Sequence, residues 1–173
     1  IRKGFNKYTP TQGIPELREK IADHLKKKGV HFEEVMVTAG VTGGLLLASL
    51  ALNNPGDEVI IPDPFFVMYE YQVLLMGGIP VFVDTYPDFR LREEEIVKKL
   101  SKKTKAIMIN SPNNPTGTIY PKDDLMKVVR IARERDLLIL SDDIYDNFVF
   151  DGPTCPCIGQ LYEKALTFGG FSK

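Results

Sequence analysis

Two cysteines, two histidines and a formal net charge of -1 leave several kinds of chemistry little to work with. Cys155 and Cys157 flank Pro156. A disulfide between positions that close is strained, and two soft ligands without a second pair make a poor zinc site. They read as free thiols in a loop, which suits a reducing, cytoplasmic setting. His24 and His31 have no partner at a useful spacing and read as ordinary surface or half-buried side chains. No metal is expected. There is no basic run with interleaved aromatics, which argues against a nucleic-acid partner. The longest apolar runs, such as residues 45–52, are too short to cross a bilayer. Ile1 stands where a start methionine would be, so the lack of a signal peptide says nothing about export.

What is present is the composition of a folded domain. Hydrophobic residues make up 43% and charged residues 26% of 173 positions, enough for one sizeable core. No internal repeat, low-complexity tract or linker interrupts the chain. Residues 1–14 read as a loop segment and residues 15–173 as the domain. Pro15 suits the first turn of a helix, where its missing N–H costs nothing. Leu17, Ile21 and Leu25 recur on one face of it, and Gly29 follows.

From there, short apolar runs alternate with helical patterns. Strands are expected at 35–39, 58–61, 79–83, 106–109, 137–140 and 165–168. Helices are expected after Gly40, over 65–76, over 92–100 and after Pro121. The helix after Gly40 is apolar on most faces and is expected to be buried. Continuous apolar strands separated by helices specify an α/β fold: three layers, α/β/α, around a mostly parallel sheet.

Ligands of such sheets bind beyond the carboxyl ends of the strands, and the unusual residues fall there. Gly40-Val41-Thr42-Gly43-Gly44 follows the first expected strand. Asp63-Pro64-Phe65-Phe66 follows the second, Asn113-Asn114-Pro115-Thr116-Gly117 the fourth, and Asp142 and Tyr145 the fifth. After the sixth, Gly169-Gly170-Phe171-Ser172 leads to Lys173. A lysine at the end of a buried strand is expected to be desolvated, which lowers its pKa and frees the amine as a nucleophile. Amides at a helix N-terminus beside the Thr42 hydroxyl suit a phosphate. A flat aromatic suits a heteroaromatic ring. A carboxylate holds a ring nitrogen protonated, a phenol and an amide bond a ring oxygen, and an amine forms a Schiff base with an aldehyde. Pyridoxal 5'-phosphate offers all of these groups together.

In that order along the chain, six stretches resemble the class I/II aminotransferases, pyridoxal-phosphate enzymes of fold type I. They are Tyr8-Thr9-Pro10-Thr11-Gln12-Gly13 with Leu17-Arg18, Val37-Thr38-Ala39-Gly40, Pro64-Phe65-Phe66-Val67-Met68-Tyr69, Ser111-Pro112-Asn113-Asn114-Pro115-Thr116-Gly117, Ser141-Asp142-Asp143-Ile144-Tyr145 and Gly170-Phe171-Ser172-Lys173. The resemblance implies that Lys173 is the Schiff-base lysine and that Asp142 pairs with the pyridinium nitrogen. Asp143 is a rival for that role, but only Asp142 leaves a tyrosine three positions on. Tyr145 and Asn114 contact the ring hydroxyl, Phe66 (with Phe65 as competitor) stacks on the ring, and Val41 and Thr42 bind the phosphate. The Asn114–Pro115 bond is expected to be cis. Tyr8 matches a tyrosine that reaches the phosphate of a neighbouring subunit, which implies a homodimer. The implied activity moves an amino group between an amino acid and a 2-oxo acid by a ping-pong route, with Lys173 as base and then acid.

The family's phosphate-binding and substrate-carboxylate arginines lie beyond the lysine, as do the C-terminal small domain and a strand that fills the sheet. The chain is therefore expected to be an incomplete large domain of a longer protein, with a gap in its sheet. Gly170 stands where some members carry a serine. Three other readings are open: a β-elimination C–S lyase on the same cofactor, a cofactor-sensing regulator, and a nucleotide-binding domain. The last explains neither Asn114 nor Lys173, and its glycines do not fit G-x-G-x-x-G.

Overall fold

The computed structural model describes residues 2–4, 6–152 and 154–173. Within the expected N-terminal loop, Ile1 and Phe5 lie outside the described residues, and what is described carries no helix or strand. Ten main elements follow: α1 (Pro15–Lys27), α2 (Gly40–Leu52), β1 (Glu58–Asp63), α3 (Met68–Leu75), β2 (Ile79–Asp84), α4 (Glu93–Lys99), β3 (Thr104–Asn110), α5 (Lys122–Arg135), β4 (Leu138–Asp142) and β5 (Ala165–Phe168). A 3-10 turn occupies Ile158–Gln160.

The five strands pair in the order β2-β1-β3-β4-β5, all parallel. Alternate residues of each strand serve opposite layers. Ile60, Ile107, Ile109 and Ile139 pack against Leu125, Val128, Val129 and Ala132 of α5, with Ile96 of α4. Val59, Ile61, Ala106, Met108 and Leu140 pack on the other face against Leu45 of α2 and Tyr69 and Val73 of α3. Each large side chain so buried contributes roughly 1.5–3 kcal/mol relative to an exposed one. Both faces of the sheet are covered, which explains why its strands read as unbroken apolar runs. The three-layer α/β/α expectation holds.

Pro62 sits near the end of β1. The paired register between β1 and β3 stops at Ile60↔Ile107, so Pro62 faces only β2 in the ladder, and its missing donor breaks no rung on the other side. The remaining registers place Asn110 opposite Asp142, and Asp142 opposite Phe168. This row lies at the carboxyl edge of the sheet.

Three expectations need correction. Residues 35–39 form no strand. The Val37 amide bonds to the Gln12 carbonyl of the N-terminal segment, and this single rung replaces a sheet ladder. The second helix is not buried on most faces: Gly44, Leu45 and Ser49 are buried, while Leu47 and Leu50 are exposed. One side of α2 lies on the sheet, and no further layer of the described residues covers the other. The helix expected from Phe65 begins at Met68; Phe65 lies outside it, its ring near parallel to that of Phe82, 5.0 Å away.

Candidate active site

Three loops meet at the carboxyl edge of the sheet. The loop after β3 carries Asn114, the turn after β4 carries Tyr145, and the segment after β5 carries Lys173. Asn110, at the end of β3, ties the first two together. Its Nδ2 donates to the Asp142 carbonyl at 2.9 Å, and its Oδ1 accepts the Asn114 amide at 2.8 Å. Asn114 Nδ2 then donates to Tyr145 Oη at 3.4 Å. Lys173 Nζ lies 6.0 Å from the centre of the Tyr145 ring. The Asn114–Pro115 bond is cis, as expected from the resemblance, and so is Ser111–Pro112.

Asp142 ends β4 and is buried. Burial pushes its carboxyl above the usual carboxylate range, and the Tyr69 hydroxyl and the Ile144 amide draw it back. The Tyr69 hydroxyl donates to Oδ2 at 2.7 Å and the Ile144 amide to Oδ1 at 3.1 Å. Burial, with Asp142 alongside, pushes the Tyr69 phenol well above its ordinary value, so it stays a donor.

The neighbouring carboxylate takes the opposite side. Asp143 accepts from Ser141 Oγ at 2.6 Å and from Cys157 Sγ at 2.8 Å. Burial pushes it up to about 7, against the pull of those two donors. The alternation of a strand end therefore separates the rivals: Asp142 is bonded to α3, and Asp143 to the 155–157 loop.

Phe66 stands edge-on to Tyr69, with ring centres 5.7 Å apart, and is half-buried. Its competitor Phe65 is already stacked on Phe82. Val41 and Thr42 occupy the first turn of α2, directly after Gly40 at φ 69°, a left-handed conformation natural to glycine. Gln72 of α3 braces this turn, its Nε2 donating to the Thr42 carbonyl at 3.0 Å, while its Oε1 is buried without a partner. An ideal Cβ built on Gly170 would lie 2.7 Å from Ile144 Cδ1 and 3.8 Å from Val41 Cγ2. The segment leading to Lys173 thus passes against both the start of α2 and the turn after Asp142.

Asp142, Asn114, Tyr145 and Lys173 are brought to one edge, with Phe66 and the start of α2 beside them. Tyr8 is not: it is fully exposed on the N-terminal segment. Lys173 is also exposed, contrary to the expected desolvation. The segment after β5 runs past the last strand of the sheet, where no described element covers it. Reading the sequence assigned no role to Asn110, Tyr69 or Gln72. Asn110 carried a signal, a polar residue closing an apolar strand; Tyr69 and Gln72 looked like any residues of an amphipathic helix.

The donor set fits a phosphorylated pyridine aldehyde: helix-start amides for the phosphate, a buried carboxylate for the ring nitrogen, a phenol and an amide for the ring oxygen, and an amine for the aldehyde. Three independent likenesses agree with that geometry. The family model for aminotransferase class I and II matches residues 1–173. The chain is 42% identical over 182 residues to aromatic-amino-acid aminotransferase 2 of Thermococcus litoralis, covering 100% of this chain and 47% of that protein. It is 46% identical over 181 residues to the aspartate aminotransferase of Sulfurisphaera tokodaii, covering 100% and 45%. Among solved structures, the aromatic aminotransferase of Pyrococcus horikoshii superposes with a TM-score of 0.94 at 40% identity, over 99% of this chain and 48% of that one. The Thermus thermophilus aspartate aminotransferase with maleate gives 0.92 at 37%, over 98% and 46%. The chain spans a little under half the length of these relatives. It belongs to the class I and II aminotransferase family.

Proposed function

We propose that the full protein is a pyridoxal-phosphate-dependent aminotransferase, moving an amino group between an amino acid and a 2-oxo acid. The observation that carries this reading is the cluster at the sheet edge: Asn114 on Tyr145, Tyr145 beside Lys173, and Asp142 held by Tyr69. When bound, the cofactor supplies an aldehyde for the substrate amine and a ring that accepts the electrons released at Cα.

The chain's own groups do the rest. Residues 15–173 form the cofactor-binding part. Val41 and Thr42, with the α2 amides, hold the phosphate. Asp142 holds the proton on the ring nitrogen, and a cation there favours its ionised form against the burial that opposes it. Tyr145 and Asn114 bond the ring oxygen. Phe66 covers the ring, since Phe65 is engaged elsewhere. Lys173 would supply the amine that holds the aldehyde and would serve as the base, then the acid, for the Cα proton. Exposed in the present structure, it needs a cover for that work.

A homodimer suits the outer surface. Leu47 and Leu50 of α2 and Tyr71 and Leu75 of α3 are exposed, and the exposure of Tyr8 supports the reading that it serves a neighbour's phosphate. No helix among the described residues is long and apolar enough to cross a membrane, and a cytoplasmic location accords with the free thiols.

The test is turnover of the full-length protein supplied with pyridoxal phosphate, an amino acid and a 2-oxo acid. Lys173→Ala should abolish the visible cofactor band and lower turnover by more than about a thousandfold. A full-length variant that retains both would end the assignment. Release of ammonia with the keto acid, without a second 2-oxo acid, would instead mark a lyase.

A further inference from the structure

The two thiols lie behind the candidate site rather than in an idle loop. Cys155 Sγ is 3.3 Å from both the Oγ and the carbonyl oxygen of Ser111. Ser111 opens the loop that carries Asn114, and its Oγ also accepts the Tyr120 amide at 3.1 Å. Two positions on, Cys157 Sγ donates to Asp143 Oδ2 at 2.8 Å, while Ser141 Oγ holds Oδ1 at 2.6 Å. The Asp143 amide donates to the Phe168 carbonyl at the end of β5, and its carbonyl accepts the Asp146 amide. Asp143 is thus the hub of the turn that carries Asp142 on one side and Tyr145 on the other. Asp142 has its carboxylate partners in α3 and the turn itself; Asp143 depends on the Cys157 loop for one of its two side-chain donors.

We propose that Cys157 is a positioning residue: by donating to Asp143 it holds the Asp142–Tyr145 turn in the geometry that binds the cofactor, while Cys155 anchors the Asn114 loop in the same way. The proposal rests on the reading of this edge as a pyridoxal-phosphate site. A buried carboxylate that loses a donor is left partly unsatisfied, and the turn that carries it loses one of its ties to the rest of the fold. Removing the thiol therefore acts on Asp142 and Tyr145 without touching either.

The experiment uses the full-length protein and pyridoxal phosphate, with the dissociation constant read from absorbance or fluorescence titration. Cys157→Ala removes the donor and should weaken cofactor binding about tenfold. Cys157→Ser keeps a donor and should return to within about threefold of the unsubstituted protein. Cofactor should also slow alkylation of Cys157 by iodoacetamide in the unsubstituted protein, at least fivefold by mass spectrometry, because it fixes the turn that the thiol grips. This second readout needs no variant. Equal affinities in all three proteins, a serine variant as weak as the alanine variant, or an alkylation rate indifferent to cofactor would each overturn the proposal. An unsubstituted protein that fails to bind the cofactor overturns the assignment of the site instead.

Discussion

The Tyr69 hydroxyl, on α3, donates to Asp142 Oδ2 at 2.7 Å, joining a helix of one outer layer to the tip of β4. Both groups are buried, and the bond to a carboxylate is of the stronger kind. Tyr69→Phe keeps the ring against Phe66 and removes only the donor. Losing a donor favours the protonated acid, so Asp142 would need a higher pH to ionise. The expected outcome is a fall in turnover of about tenfold, from the roughly 1.5–3 kcal/mol of a charged hydrogen bond, with the acid limb of the pH–rate profile moved to higher pH. An unchanged profile would show that Tyr69 matters only for packing.

Phe65 and Phe66 are adjacent yet differently engaged, and their substitutions should separate. Phe65 stacks on Phe82 with an interplanar angle of 5°. Phe65→Leu removes that pair, worth about 0.5–1.5 kcal/mol beyond buried area, and should lower the melting temperature with little effect on cofactor affinity. Phe66→Leu also loses an aromatic pair, the edge-on contact with Tyr69, so its apoprotein should be destabilised comparably, but it alone should weaken cofactor binding severalfold. Titration of the two full-length variants decides, beside thermal melts; a loss of affinity in Phe65→Leu alone would make Phe65 the stacking ring.

Much of this was legible beforehand for a physical reason. Strands buried on both faces are unbroken apolar runs, so five of the six expected strands appear, most of them a residue or two longer than expected. Residues 35–39 failed because an apolar run specifies an extended chain but not a ladder partner, and the Val37 amide found Gln12 instead. The apolar surface of α2 showed that something packs there, not what; Leu47 and Leu50 remain open. Glycines, prolines and charged groups at strand ends pointed to the edge where the candidate residues gather. The braces behind them did not stand out, because Tyr69, Gln72 and Cys157 act through partners 73, 30 and 14 positions away, distances that no local pattern encodes.

On the far face, Arg90 reaches from the segment before α4 to Asp124 in the first turn of α5. Arg90 Nη2 donates to Asp124 Oδ1 at 3.0 Å, and Nε donates to the other oxygen. The Asp124 side chain is 1% exposed, and Arg90 together with Lys127 holds its carboxyl below the usual range despite burial. Arg90→Met should leave that carboxylate with Lys127 alone. The expected loss is about 2 kcal/mol, below the roughly 3–5 kcal/mol of a wholly unpaired buried charge, seen as a lower denaturant midpoint. Arg90→Met with Asp124→Leu should recover part of it, since an apolar pair needs no counter-charge.

Asp143 makes a prediction about pH. It faces Ser141 and Cys157 as donors and Asp142 and Asp146 as like charges, and burial carries it up to about 7, against roughly 3.9 in an unfolded chain. Below pH 4 both states are protonated and the group is neutral in its effect. Between pH 4 and 7 the unfolded chain has ionised while the folded one has not, so the unfolded state binds fewer protons and stability falls as pH rises. Above about 7 both are ionised and the loss is complete, on the order of 4 kcal/mol for a shift of that size. Asp143→Asn cannot ionise. Its apoprotein should start less stable than the unsubstituted protein at pH 4, because an amide nitrogen replaces one acceptor oxygen, and the difference should shrink or reverse by pH 8. Denaturation midpoints of the two full-length apoproteins across that range check it. Parallel curves would mean that Asp143 is ionised in the folded protein throughout, with its two donors outweighing its burial.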